Sequence, residues 1–440
     1  MTPQQNAASP NAPVRPSRAR HGVLALVVFL YVITYMDRVN ISSAMPVLQQ
    51  ELGLSIVTVG WIFSSFRWGY ALFQIPGGWF GDVVGPRRAL AFVVCWWSFF
   101  TSITALGWSA ASIGICRFFF GVGEAGAFPI ATRSLSRWTP AEERGFAQGL
   151  PHAASRLGAA LTPPLVVFLM MKFNWRVPFF LFGLLGLVWA AVWYFYYRDK
   201  PSEHPGVNAA ELQLIQRSTC PVDDSSKTVP WRLILTNRTV WMLSLMYFCY
   251  GYSIDIYLDW FPKYLYDARG LDLKMMGFYA SLPFIAGAAG DLLGGWLSDV
   301  WAARTGNLKA ARRVLAALGF SIAAGGILSA TFATGTTTSV LYSCLAVFGL
   351  ELTVGVAWAI PLDIGGNYAG SIASIMNTFG NLGSAISPAL LGYLVRRYSW
   401  NVPFVLSSFL CVAAILFCFK VDPTCAVGIT KPLRPEIAAP

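Results

Sequence analysis

Apolar stretches of about 20 residues recur about twelve times along this chain, centred near Phe29, Tyr70, Trp97, Gly121, Leu157, Leu187, Cys249, Ala286, Ala323, Phe348, Gly383 and Val412. A helix of that length spans the roughly 30 Å hydrocarbon core of a bilayer. The composition agrees: 55% of residues are apolar and only 12% charged, against about 25% charged in soluble domains. Ten-residue alternating strands of the barrel type do not occur, so the spans read as helices, whose backbone groups are satisfied within each segment. The expected fold class is all-α integral membrane, twelve transmembrane helices in two six-helix halves.

The polar segments set the boundaries. Residues 1–21 carry Pro10, Pro13, Pro16, Arg15, Arg18 and Arg20 and read as a disordered tail; no signal-peptide pattern is present, because the first apolar run continues past 20 residues without a small-residue cleavage site. A bundle follows over 22–198, then a polar linker over 199–238, whose "AAELQLIQR" suits a short surface helix. The second bundle covers 239–421 and a tail 422–440. The halves repeat: "LGAALTPPLVVFLMMKFNWRVPFFL" from Leu157 aligns without a gap on "LGSAISPALLGYLVRRYSWNVPFVL" from Leu382, and "GGWFGDVVGPRR" from Gly77 matches "GGWLSDVWAARTG" from Gly294. Such a repeat implies two halves related by an axis along the membrane normal.

The net charge is +11, but the Lys and Arg fall mostly in alternate loops. That pattern sets topology, with both termini cytoplasmic, and argues against a nucleic-acid partner. The eight cysteines are scattered, with no metal-ligand spacing and no disulfide framework. No metal and no cofactor other than a coupling proton is expected, and nothing resembles an enzyme's P-loop, nucleophile elbow or HExxH motif.

Charges inside the spans carry the function. Arg38, Arg67, Arg117 and Arg156, with Asp37, Glu124, Asp255, Asp259, Asp291 and Glu351, would together cost roughly 25 to 35 kcal/mol facing lipid, so they face a wet or paired interior. Arg117 and Glu124 share a helix face about 10 Å apart along the axis. Arg67, Tyr70 and Gln74 share another face, and Asn377 and Asn381 a third. With Trp358 these groups suit an organic anion carrying hydroxyls. The alternatives stay open: Tyr70 and Trp358 as packing residues, Asn377 and Asn381 as helix-to-helix hydrogen-bond partners, Asp255 and Asp259 as solvated acids at the outer mouth, and Arg156 as a gating residue.

"GWFGDVVGPRR" fits G-x-x-x-D-x-x-G-x-R-R at Gly78, Asp82, Gly85, Arg87 and Arg88, the loop signature of the major facilitator superfamily, which the chain resembles over almost its whole length. In the second half Asp299 and Arg304 remain, while Ala302 replaces the glycine. These residues are expected to form a gate whose salt bridges open and close. "YMDRVN", "GYALFQIPGGWFGD", "CRFFFGVGEAGAFP" and "ERGFAQGLPHAASRLGAALTPPL" together look like the anion:cation symporter family, which includes proton-coupled carriers of galactonate, hexuronates, glucarate and phthalate. The resemblance implies proton coupling at Asp37 and Glu124, a substrate region at Arg38, Arg117 and Tyr70, and a contribution from Trp358 with Asn377 or Asn381. Arg67, Asp255 and Asp259 depart from the sugar-acid members. The expectation is a monomeric bacterial inner-membrane carrier that imports a sugar acid or other carboxylate with protons by alternating access. The alternative is an organic-anion or organophosphate exchanger not coupled to protons.

Overall fold

The computed structural model describes residues 16–140, 143–217, 231–365 and 369–424, and every regular element among them is helical. The first half comprises α1 (Ala19–Leu52), α2 (Ile56–Val84), α3 (Pro86–Thr104), α4 (Ala110–Glu124), α5 (Ala127–Trp138), α6 (Arg144–Lys172) and α7 (Arg176–Tyr196). The linker holds α8 (Ala209–Arg217) and α9 (Trp231–Thr236). The second half comprises α10 (Arg238–Asp255), a π-turn at Ile256–Trp260, α11 (Phe261–Asp267), α12 (Leu273–Thr305), α13 (Leu308–Phe332), α14 (Thr336–Gly365), α15 (Ala369–Arg397) and α16 (Asn401–Lys420). Counting α4 with α5, and α10 with α11, as single broken spans gives the twelve expected.

Eight of these spans are long and apolar enough by composition alone to cross a bilayer. The other four, α2, α3, α10 with α11, and α15, fall short of that composition, and α2, α10 and α15 carry polar residues such as Arg67, Gln74, Asp255, Asn377 and Asn381. Local chemistry marks the helix ends. Ser55, Asp272 and Asn307 accept the N–H groups of Thr58, Met275 and Ala310 at the starts of α2, α12 and α13. The repeat appears as matched starts, with Trp175 and Trp400 of the W-x-V-P-F motifs standing immediately before α7 and α16.

Small residues decide how closely the helices approach. A Cβ on Gly121 would lie 2.2 Å from the Phe66 carbonyl oxygen, and one on Gly251 2.1 Å from that of Gly380, so α4 meets α2 and α15 meets α10 backbone to backbone. The halves join by an exchanged pairing that mirrors the repeat: α2 packs on α15, and α12 on α6. Contacts between them concentrate at the end away from the chain termini. There a Cβ on Gly60 would lie 2.5 Å from the Pro388 carbonyl oxygen, Gly277 meets Val167 and Pro163, and Ser64 donates to the Ala385 carbonyl at 2.6 Å.

Two boundaries differ from the sequence reading. Residues 19–21, expected in the tail, form the first turn of α1, because Glu211 on α8 accepts the N–H groups of Ala19 and Arg20 at 3.3 and 3.1 Å and holds that turn in place. Arg238, assigned to the linker, is the first residue of α10, capped by Asn237. The expected surface helix in the linker is α8. The remainder of the 1–21 tail up to residue 15, linker residues 218–230 with Cys220, and residues 425–440 with Cys425 lie outside the described residues; the six described cysteines are free.

Candidate functional site

Adjacent residues on a helix point about 100° apart, and Asp37 and Arg38 on α1 do so. Arg38 turns to α4, where Nε and Nη2 both lie against one carboxylate oxygen of Glu124. Its guanidinium carbon also sits 4.9 Å from the centroid of the Tyr70 ring and 5.0 Å from that of Tyr35, an aromatic cage that favours a cation. Asp37 turns the other way. It is wholly buried beside Trp97 and Thr101, between the charges of Glu124 and Arg117.

Arg117 stands about two turns before Glu124 on α4. It is 2% exposed, rests over the Phe120 and Phe66 rings at 4.2 and 5.2 Å, and leaves Nε and Nη1 without hydrogen-bond partners. Glu124 therefore neutralises Arg38 directly and Arg117 only at longer range. Helical spacing had put Arg117 and Glu124 on one face; the partner from α1 was not visible in it.

A second set of charges bridges the halves. Arg67 on α2 reaches Asp255 at 2.8 Å and Asp259 at 3.5 Å. Both acids are buried, so they do not face solvent at an outer mouth. Asp255, at the end of α10, and Asp259, within the π-turn, stand at i and i+4 and converge on one guanidinium. Arg67 is thus occupied by protein carboxylates, while Tyr70, one turn further along α2, faces Arg38.

A third set joins α6 to α14. Arg156 pairs with Glu351 at 2.9 Å and donates to the hydroxyls of Tyr35 at 3.3 Å and Tyr250 at 3.5 Å, and Tyr250 donates to Glu351 at 3.2 Å. Tyr247 stacks on Tyr250 and accepts the Trp358 indole N–H at 2.8 Å. Tyr35, Tyr247, Tyr250 and the role of Glu351 were missed from sequence. The one signal was Tyr247 and Tyr250 at i, i+3, which marks a shared face and nothing more. Gln74 and Asn381 hydrogen-bond to each other across the halves at 2.8 Å, and Asn377 lies half-buried one turn away on α15.

The arrangement is a set of buried arginines, each held by carboxylates or aromatic rings, where two repeated halves meet. The family model of the Major Facilitator Superfamily matches residues 27–388. The chain belongs to the major facilitator superfamily. Among curated proteins it is 39% identical to the probable sulfoacetate transporter of Cupriavidus necator, over 93% of this chain and 95% of that one. It is 33% identical to the hexuronate transporter of Bacillus subtilis, over 89% and 93%. Among solved structures, a bacterial homolog of the human lysosomal transporter Spinster, inward-facing and unoccupied, superposes with a TM-score of 0.76 at 17% identity, covering 93% of this chain and 98% of that one; at that identity the likeness is one of fold. This facilitator-family chain is a multi-pass membrane protein and a transporter rather than an enzyme.

The facilitator loop signature pairs differently from the expectation. Asp82 forms its ion pair with Arg133 on α5, not with Arg87 or Arg88. Arg87 instead donates to the Tyr194 carbonyl at 2.9 Å, its backbone N–H donates to Asp199 at 3.1 Å, and Arg88 is exposed. Gly85 ends α2 at φ +88°, a left-handed value that glycine adopts freely, while Gly78 passes Pro129 on α5. In the second half Asp299 pairs with Arg312 at 2.8 Å, and Arg312 also holds Asp363 at 3.0 Å, while Arg304 is exposed. In both halves the cation comes from a helix packed alongside rather than from the loop, since only a neighbouring helix brings a guanidinium level with the acid.

Proposed function

We propose that this protein imports an organic anion together with protons by alternating access across a bacterial cytoplasmic membrane, with both termini inside and the monomer as the working unit. The observation that carries the reading is the buried contact of Arg38 with Glu124. A substrate acid group can replace Glu124 on that guanidinium only if the displaced carboxylate, left unpaired in a dry site, takes up a proton, because an uncompensated buried charge costs several kcal/mol. Substrate and proton then bind together. Asp37, beside Arg38 on α1, is a second acceptor, and Arg117, with its unpartnered Nε and Nη1, supplies donors to the same space.

The names of the relatives support the substrate class: sulfoacetate and hexuronate are both organic acids. The joined outer end and the cluster at its inner edge are what an inward-facing member of such a cycle would carry. Asn377, and Gln74 and Asn381 through the amide groups their mutual hydrogen bond leaves over, offer partners for a substrate's neutral groups, with Trp358 as an aromatic wall.

The test is uptake of a labelled anion into proteoliposomes under an imposed pH gradient. Wild-type protein accumulates substrate and loses that accumulation when an ionophore collapses the gradient. Glu124→Gln, which cannot take up the proton, falls to below about a tenth of wild-type accumulation while still exchanging internal for external substrate. Accumulation that is indifferent to the gradient would favour the exchanger reading.

A further inference from the structure

Arg156 on α6 and Glu351 on α14 belong to different halves, and their 2.9 Å contact joins them. Glu351 is 1% exposed, and its second oxygen accepts the Tyr250 hydroxyl of α10 at 3.2 Å. Glu124, by contrast, holds Arg38 within the first half, between α4 and α1, so rocking of the halves leaves that pair intact and acts on Arg156 and Glu351 directly. We propose that Glu351 is a further proton-coupling carboxylate, charged while the halves hold it against Arg156 and protonated when they draw apart there, with Asp291 and His152 as its path to the cytoplasm. This rests on the proton-symport reading and adds to it a proton that follows the movement rather than the cargo.

The surroundings supply both the need and the path. A carboxylate parted from its guanidinium in a dry site takes up a proton, because an unpaired buried charge is strongly disfavoured. Glu351 lies against Gly287 of α12, where a Cβ would sit 3.1 Å from its Cγ, and Asp291 follows one turn further toward the end that holds the chain termini. His152 stands one turn before Arg156 on α6, toward that same end, with the Tyr31 ring edge-on to it at 5.2 Å. The charge of Asp291 faces Glu351, His152 and Arg156, so the guanidinium keeps a negative neighbour while Glu351 is neutral. Tyr247 and Tyr250 of α10 are the other titratable groups that face Glu351. Asp291 is half-buried and His152 exposed, so the series runs from a closed carboxylate to groups that reach water. Acids and an imidazole in such a series carry protons through membrane proteins. The proton passes from the Glu351 carboxyl to the Asp291 carboxylate and on, with His152, to water. Glu351, charged again, closes on Arg156.

The experiment counts the protons that enter with each labelled anion in proteoliposomes of the full chain holding a pH-sensitive dye, with sulfoacetate and glucuronate as probes. Glu351→Gln brings in about one proton fewer per anion than wild type while still exchanging internal for external anion. Because that variant leaves Arg156 without its partner, Glu351→Gln with Arg156→Gln is measured beside it, and the same proton is missing. Asp291→Asn and His152→Gln keep the wild-type proton count and slow net uptake at least threefold. A wild-type count in both Glu351 variants overturns the coupling role, and loss of exchange in both makes the pair structural and overturns it equally. Uptake at the wild-type rate in both Asp291→Asn and His152→Gln overturns the path. Wild-type uptake that brings no proton overturns the symport reading itself, and uptake of neither anion overturns the organic-anion reading.

Discussion

Residue by residue, the buried charges divide into those proposed above to face a substrate and those that only face each other. Arg67, Asp255 and Asp259 belong to the second kind, and removing one member leaves a charge stranded in a dry site, at a cost of about 3 to 5 kcal/mol. Arg67→Met is therefore expected to lower the thermal unfolding midpoint in detergent well below wild type, and Arg67→Met with Asp255→Asn and Asp259→Asn to recover most of the loss; a triple variant as unstable as the single one would rule out charge stranding as the cause. The existence of these charges was legible in the sequence, because an acid or an arginine in an apolar run must be compensated. Their partners were not. Helical spacing compares residues along one helix, while Arg67 finds its acids about 190 positions away on a span that a π-turn throws out of regular phase. The same limit hid Arg133 from Asp82 and Arg312 from Asp299. Asp37 and Arg38 were the exception, since neighbours on one helix must diverge whatever surrounds them.

At the scale of elements, the twelve spans were readable because each needs a run of about 20 apolar residues, and the repeat was readable because both copies keep their W-x-V-P-F start. The breaks within spans were less visible: α4 gives way to α5 at Ala125 and Gly126, and α10 to α11 through five π residues, with no interruption of the apolar pattern. The linker shows the opposite case, in which a polar segment does structural work. Glu211 on α8 is wholly buried and accepts from the Ser17 hydroxyl at 2.5 Å and from the backbone of Ala19 and Arg20, so it caps the start of α1 with a negative charge where the helix dipole is positive. Glu211→Ala should destabilise the fold by about 1 to 2 kcal/mol, seen as a lower unfolding midpoint with faster proteolysis near residue 20. Unchanged cleavage there would show that α8 does not hold α1.

For the whole molecule, the joint between the halves at the end away from the termini is the surface that an alternating-access cycle must break. Gln50 on α1 donates to the Tyr266 hydroxyl on α11 at 3.2 Å, across that joint and open to solvent. A short bifunctional thiol reagent applied to Gln50→Cys with Tyr266→Cys should arrest uptake to below about a tenth, while either single cysteine stays near wild type; full uptake by the cross-linked pair would mean that this end need not open. One further consequence follows from the buried charges taken together. The clusters around Arg38, Arg67 and Arg156 hold four buried arginines, at 38, 67, 117 and 156, and five buried carboxylates, at 37, 124, 255, 259 and 351. With every group ionised, those clusters together sit one unit below electroneutrality. An organic anion added to them deepens that deficit, a self-energy that a low-dielectric interior does not tolerate. On the proposed function, protons travelling with the cargo keep these clusters close to neutral, and the stoichiometry of transport becomes a matter of charge balance before it is one of moving parts.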